Sequence, residues 1–203
     1  MVRVKVCGVT TVDDAVGSVD LGAELVGLNF WRRSPRRCEL SAARAIEETV
    51  CGRARVVGVF VDATAEEVRR VLGETGIGWA QLHGDEEPGV LEALLPGAYK
   101  ALRVGTDGVD AIAARYGGEH LLLDASVPGM AGGTGRTFDW SHARALAGSR
   151  QLILAGGLTP ENVAEAVRAV RPWAVDVARG VERAPGVKDL ARVRAFVDAA
   201  RSA

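Results

Sequence analysis

Eight short runs of apolar, mostly β-branched residues alternate with eight longer helical patterns along this chain, and that alternation restricts the fold more than any other feature. The strand candidates are Val2–Val6, Leu25–Phe30, Arg55–Val61, Trp79–Leu82, Tyr99–Val104, His120–Asp124, Gln151–Ala155 and Ala174–Val177. The helix candidates are Asp13–Leu21, Ala42–Val50, Ala65–Leu72, Val90–Leu94, Val109–Tyr116, Ser141–Leu146, Glu161–Val170 and Leu190–Ala200. Unbroken apolar strands between amphipathic helices indicate parallel strands buried on both faces. Thr64 followed by Glu67 matches a capping box, and Thr159-Pro160-Glu161 places a hydroxyl before a proline at a first helical position. Eight βα units in 203 residues leave roughly twenty-five residues each and no composition break, so an α/β fold of the closed (β/α)8 TIM-barrel kind is expected, with residues 1–203 as one domain. Most loops must then be minimal. The exception is the glycine-rich Ala125–Phe138, read as a functional lid.

Composition narrows the partners. Hydrophobic residues make up 48%, which excludes disorder, and 25 basic against 26 acidic residues leave a net charge of -1. That balance supplies no electrostatic reason to expect nucleic acid or an anionic membrane as partner. Three cysteines, Cys7, Cys38 and Cys51, form no disulfide framework and suit a reducing cytoplasm. The opening MVRVKVCG does not read as a secretory leader, and no apolar stretch reaches the ~18–20 residues that cross a bilayer.

Polar residues and glycines recur where the strands end: Cys7-Gly8, Asn29, His83-Gly84-Asp85, Asp124, Gly156-Gly157 and Arg179-Gly180. In a barrel these gather on the C-terminal face, where active sites form. Gly156 and Gly157 after strand seven, and Ala178, Arg179 and Gly180 after strand eight, occupy the usual position of a barrel phosphate site. The bland alternative is that the glycines only make tight turns.

Cys7 could be a small buried hydrophobe or a thiolate facing the mouth, able to act as base or nucleophile. Asp124 could be a cap, an ion-pair partner, or a proton donor tuned by desolvation. Arg36, in the basic segment Trp31–Arg37, could grip a substrate carboxylate or lie in solvent. His83 is a further candidate substrate contact. The three histidines lack ligand spacing, so no metal site is expected, and no GxGxxG follows a strand, so no dinucleotide is.

A series of motifs resembles the phosphoribosylanthranilate isomerase family of tryptophan biosynthesis. KVCGVT at Lys5–Thr10 is similar to the family's opening KICGIT. SPR at Ser34–Arg36, VGVFVD at Val57–Asp62, QLHGDE at Gln81–Glu86, GGTGRTFDW at Gly132–Trp140, LAGGLTPENV at Leu154–Val163 and VDVARGVE..PGVKD from Val175 follow in family order. The resemblance implies an Amadori rearrangement of N-(5'-phosphoribosyl)anthranilate to the 1-deoxyribulose phosphate, without a cofactor. It implies Asp124 as general acid, Cys7 as general base, Arg36 on the anthranilate carboxylate, and the loops after strands seven and eight on the phosphate. One departure stands out: Ala178-Arg179 replace the family's usual two serines. A related phosphosugar isomerase with shifted substrate use, or a non-catalytic phosphosugar-binding barrel, are the alternatives. The small phosphorylated substrate is the expected partner, with the chain a monomer or homodimer.

Overall fold

The computed structural model describes residues 1–103, 108–125 and 140–203. Eight parallel strands close into a barrel in the order β1 to β8: Arg3–Cys7, Leu25–Asn29, Arg55–Phe60, Trp79–Leu82, Ala98–Arg103, His120–Asp124, Gln151–Ala155 and Ala174–Val177. Closure is the pairing of β8 with β1, in a register that sets Lys5 beside Asp176. Helices α1 to α8 are Val12–Asp20, Leu40–Val50, Ala65–Thr75, Pro88–Glu92, Val109–Ala114, Trp140–Ser149, Val163–Val170 and Leu190–Arg201. The expected architecture is therefore observed, with element ends moved by at most three residues.

Period-two alternation divides each strand between two cores. Val4, Val6, Val26, Leu28, Leu121 and Leu123 pack outward with the helices. Leu25, Val57, Tyr99, Leu122, Ile153 and Ala174 pack inside the barrel. Each such aliphatic side chain, fully buried, contributes about 1.5–3 kcal/mol. Rings seal the N-terminal end of the lumen. His120 lies edge-on between Trp79 and Trp173, with centroids 4.6 and 4.8 Å away. The guanidinium groups of Arg55 and Arg3 cover those two indoles.

Local signals explain the helix boundaries. The Thr64–Glu67 capping box forms in both directions, at 3.2 and 2.8 Å. The start expected at Thr159-Pro160 needs correction: α7 begins at Val163. Thr159 Oγ1 accepts from the Glu161 N–H and Asn162 Oδ1 accepts from the Thr159 N–H, so these side chains close a turn ahead of the helix. The expectation of minimal loops also fails twice. Residues 30–39 run from β2 to α2, and a hairpin of β9 (Glu182–Ala184) and β10 (Val187–Lys188) stands between β8 and α8. Both carry residues of the site. The proposed lid Ala125–Phe138 lies outside the described residues beyond Ala125, as do positions 132–139 of the GGTGRTFDW motif.

Candidate active site

Inward-facing positions of the strands build a polar layer above the apolar lumen. Lys5, two residues before Cys7 on β1, is wholly buried and donates to Gln81 Oε1 on β4 (2.7 Å) and Asp176 Oδ2 on β8 (3.1 Å). Burial alone would lower the Lys5 pKa; the Asp176 carboxylate overcomes it and raises the value. Tyr99 on β5 donates its hydroxyl to the same Gln81 oxygen at 3.0 Å. Gln81 Nε2 meets His83 Nδ1 at 2.9 Å, and His83 Nε2 lies 3.4 Å from Asp124 Oδ2. Cys7 and Asp124 thus belong to one connected mouth. Asp176 Oδ1 is buried with no hydrogen-bond partner among the described residues.

The loop carrying His83 is fixed from beneath. Buried Glu86 accepts from the N–H groups of Asp62 and Gly84 and pairs with buried Lys100 at 2.7 Å. Gly84 cannot be enlarged, because a Cβ there would sit 2.2 Å from Asp62 Oδ1.

Space for the thiol comes from the neighbouring strand. Gly27 pairs with Cys7, and a Cβ on Gly27 would lie 2.7 Å from the sulfur. Burial pushes the Cys7 thiol above its ordinary 9.0; Lys5 and Lys188 pull it down, and Asp176 pushes it up. Arg36 crosses over Gly8, whose φ of +73° no other residue adopts easily. Its Nε and Nη2 are held by Glu182 of β9, and Lys188 of β10 donates to Glu182 Oε1 (2.7 Å) and to the Cys7 carbonyl (2.6 Å). The hairpin therefore braces both candidates. Arg36 Nη1 meets no described acceptor and stays available.

Between the ends of β6 and β1 around the barrel, Gly156 and Gly157 after β7 take φ of +99° and +66°. Gly180 presses against the strand-seven loop, where a Cβ would fall 2.1 Å from the Leu158 carbonyl oxygen. Backbone N–H groups of Gly157 and Gly180 meet no described acceptor. Ala178 is half-buried and Arg179 exposed, starting a single 3₁₀ turn. The structure brings the predicted residues to one end of the barrel in two groups, Cys7–Arg36–His83–Asp124 and the paired glycine loops. A cleft of about 560 Å³ at the opposite end, among Arg3, Glu24, Arg55, Trp79 and Trp173, holds none of them. Among the described residues, no cluster of three His, Cys, Asp or Glu could hold a metal, and no helix is long and apolar enough to cross a membrane.

Lys5, Gln81, Tyr99, Asp176, Glu182 and Lys188 were not expected. The available signal was a charge or amide inside an apolar strand, as in VKV and AVDV, which burial permits only with a partner.

Residues 4–199 match the family model of N-(5'phosphoribosyl)anthranilate (PRA) isomerase. The chain belongs to that family. The N-(5'-phosphoribosyl)anthranilate isomerase of Myxococcus xanthus is 49% identical, over 99% of this chain and 97% of that protein. The crystal structure of phosphoribosyl anthranilate isomerase from Thermotoga maritima superposes with a TM-score of 0.89 at 38% identity, covering 100% of both chains. A phosphoribosyl anthranilate isomerase in complex with reduced 1-(o-carboxyphenylamino)-1-deoxyribulose 5-phosphate has a TM-score of 0.86 at 36% identity, again covering 100% of both.

Proposed function

We propose that this member of the family catalyses the Amadori rearrangement of N-(5'-phosphoribosyl)anthranilate to 1-(2-carboxyphenylamino)-1-deoxyribulose 5-phosphate, the isomerisation step of tryptophan biosynthesis. The whole chain acts as one barrel domain, in the cytoplasm. The observation that carries this reading is the placement of Cys7 and Asp124 at the ends of β1 and β6 in one mouth, joined through Lys5, Gln81 and His83.

Asp124 gives its proton to the furanose ring oxygen as the C1–O bond breaks, leaving a protonated Schiff base between C1 and the anthranilate nitrogen. Cys7, as thiolate, removes the proton from C2, and the electron pair moves to the iminium nitrogen to form an enolamine. Tautomerisation places a proton on C1 and yields the ketone. Burial keeps most of the resting thiol protonated, so the reactive form is drawn from the alkaline side. Arg36 Nη1 binds the anthranilate carboxylate while Glu182 holds the other edge of the guanidinium. His83 lines the substrate's path beside Asp124. Gly156, Gly157, Ala178 and Gly180 offer backbone donors to the phosphate, and Arg179 supplies a charge in place of two serine hydroxyls.

The Ala178-Arg179 pair also favours a second reading, a phosphosugar isomerase with shifted substrate use. Two experiments test the proposal: complementation of an isomerase-deficient tryptophan auxotroph, and turnover of phosphoribosylanthranilate against a different aminoaldose phosphate. Absence of turnover with the first substrate would overturn it.

A further inference from the structure

The donor and acceptor inventory around Gln81 admits only one arrangement. Lys5 Nζ and the Tyr99 hydroxyl both lie on the Gln81 side-chain oxygen, at 2.7 and 3.0 Å. A lysine ammonium only donates, so the amide cannot be flipped to set its NH2 group against Lys5. The Gln81 NH2 group must then face His83 and donate to Nδ1 at 2.9 Å. A ring nitrogen that accepts carries no proton, so the His83 proton sits on Nε2. That nitrogen lies 3.4 Å from Asp124 Oδ2.

From this geometry we infer that Gln81 is a positioning residue: it holds His83 as the neutral Nε2–H tautomer and keeps that nitrogen beside the Asp124 carboxylate, 3.4 Å away. The role rests on the proposed isomerase reading and deepens it. A neutral imidazole donor supports a carboxylate at the moment Asp124 has lost its proton to the ring oxygen. An imidazolium would bring a full charge to Asp124 and hold it ionised before the reaction begins. An Nδ1–H tautomer would leave Asp124 facing a bare lone pair. The anchor is also rigid. Lys5 is held by Asp176, and the loop after β4 is fixed by Glu86 and Lys100, so the amide has little room to turn. One glutamine thereby ties the lysine beside Cys7 to the histidine beside Asp124.

Imidazole nitrogen NMR reads the tautomer in the resting protein, without substrate. The chain has three histidines, and His83→Gln assigns the resonance of interest. The expected spectrum shows His83 neutral, protonated at Nε2 and bare at Nδ1. In Gln81→Glu the near-isosteric carboxylate only accepts, so His83 must turn a proton to Nδ1, and its nitrogen shifts should change to those of the other tautomer or the cation. Gln81→Leu, folded by circular dichroism, should lose about tenfold or more in kcat, with KM changed by less than about twofold. A wild-type His83 protonated at Nδ1, or a Gln81→Glu spectrum unchanged from wild type, would overturn the inference. So would Gln81→Leu with wild-type kcat. The spectrum does not depend on turnover, so an inactive wild-type protein showing the expected tautomer would sink the isomerase reading alone.

Discussion

Glu182 takes the Arg36 guanidinium along one edge, with Nε 2.9 Å from Oε1 and Nη2 2.6 Å from Oε2, across 146 positions of sequence. Lys188 sits on the same carboxylate at 2.7 Å, so one buried acid lies between two cations. Burial alone would raise the Glu182 pKa; the bonds from Arg36 and Lys188 win and lower it below the ordinary 4.5. A carboxylate with a depressed folded-state pKa adds stability that is present above the unfolded value and lost as pH falls through the folded one. Glu182→Gln should therefore be less stable than wild type near neutral pH, by about 1–3 kcal/mol for the charged hydrogen bonds. The gap should close as pH falls below 4.5, where wild type loses the same contribution. Urea denaturation at a series of pH values measures this. A gap independent of pH would show that the carboxylate charge does not stabilise the hairpin.

Cys7→Ser should lower kcat on the order of 10²-fold or more, because a serine hydroxyl is a far weaker base than a thiolate. The pH dependence has a definite sign. The reactive form is deprotonated and burial raises the pKa above 9.0, so kcat/KM and the rate of alkylation by iodoacetamide should both climb with pH through the alkaline range. A wild-type profile flat across that range would argue against Cys7 as the base.

Asp124→Asn keeps the shape of the side chain and removes the proton it can give. Turnover should fall about 10²- to 10⁴-fold while the thermal midpoint stays near that of wild type. If Asp124 served only the fold, the variant would lose stability and keep its rate per folded molecule.

Arg179 is exposed in the turn after β8. A charge-assisted contact with a phosphate is worth roughly 1.5–3 kcal/mol, so Arg179→Ala should raise KM about ten- to a hundredfold and change kcat less. The penalty should shrink with added inorganic phosphate. A KM within about twofold of wild type would assign the phosphate to backbone N–H groups alone.

The barrel itself was legible because a parallel strand buried on both faces must be apolar throughout, and runs such as Arg55–Phe60 and Gln151–Ala155 announce themselves. The position of Cys7 and Asp124 at the barrel mouth was legible for a related reason: they are the polar residues at which such runs stop, and a parallel barrel puts every such stop at the same end. Pairing across the lumen was not legible. Lys5 and Asp176 stand 171 positions apart, and Lys5 and Gln81 stand 76 apart. Nothing local to either says that barrel closure will set them in contact. The hairpin was hidden for another reason: two- and three-residue strands carry too few positions to show a period. Sequence by itself determined the number and type of elements, since hydrophobic burial acts on each segment separately. Only the tertiary structure decided that Glu182 holds Arg36, that Gly27 makes room for the Cys7 sulfur, and that Gln81 joins Lys5 to His83. Those contacts depend on register and closure, which exist only once all eight strands are in place.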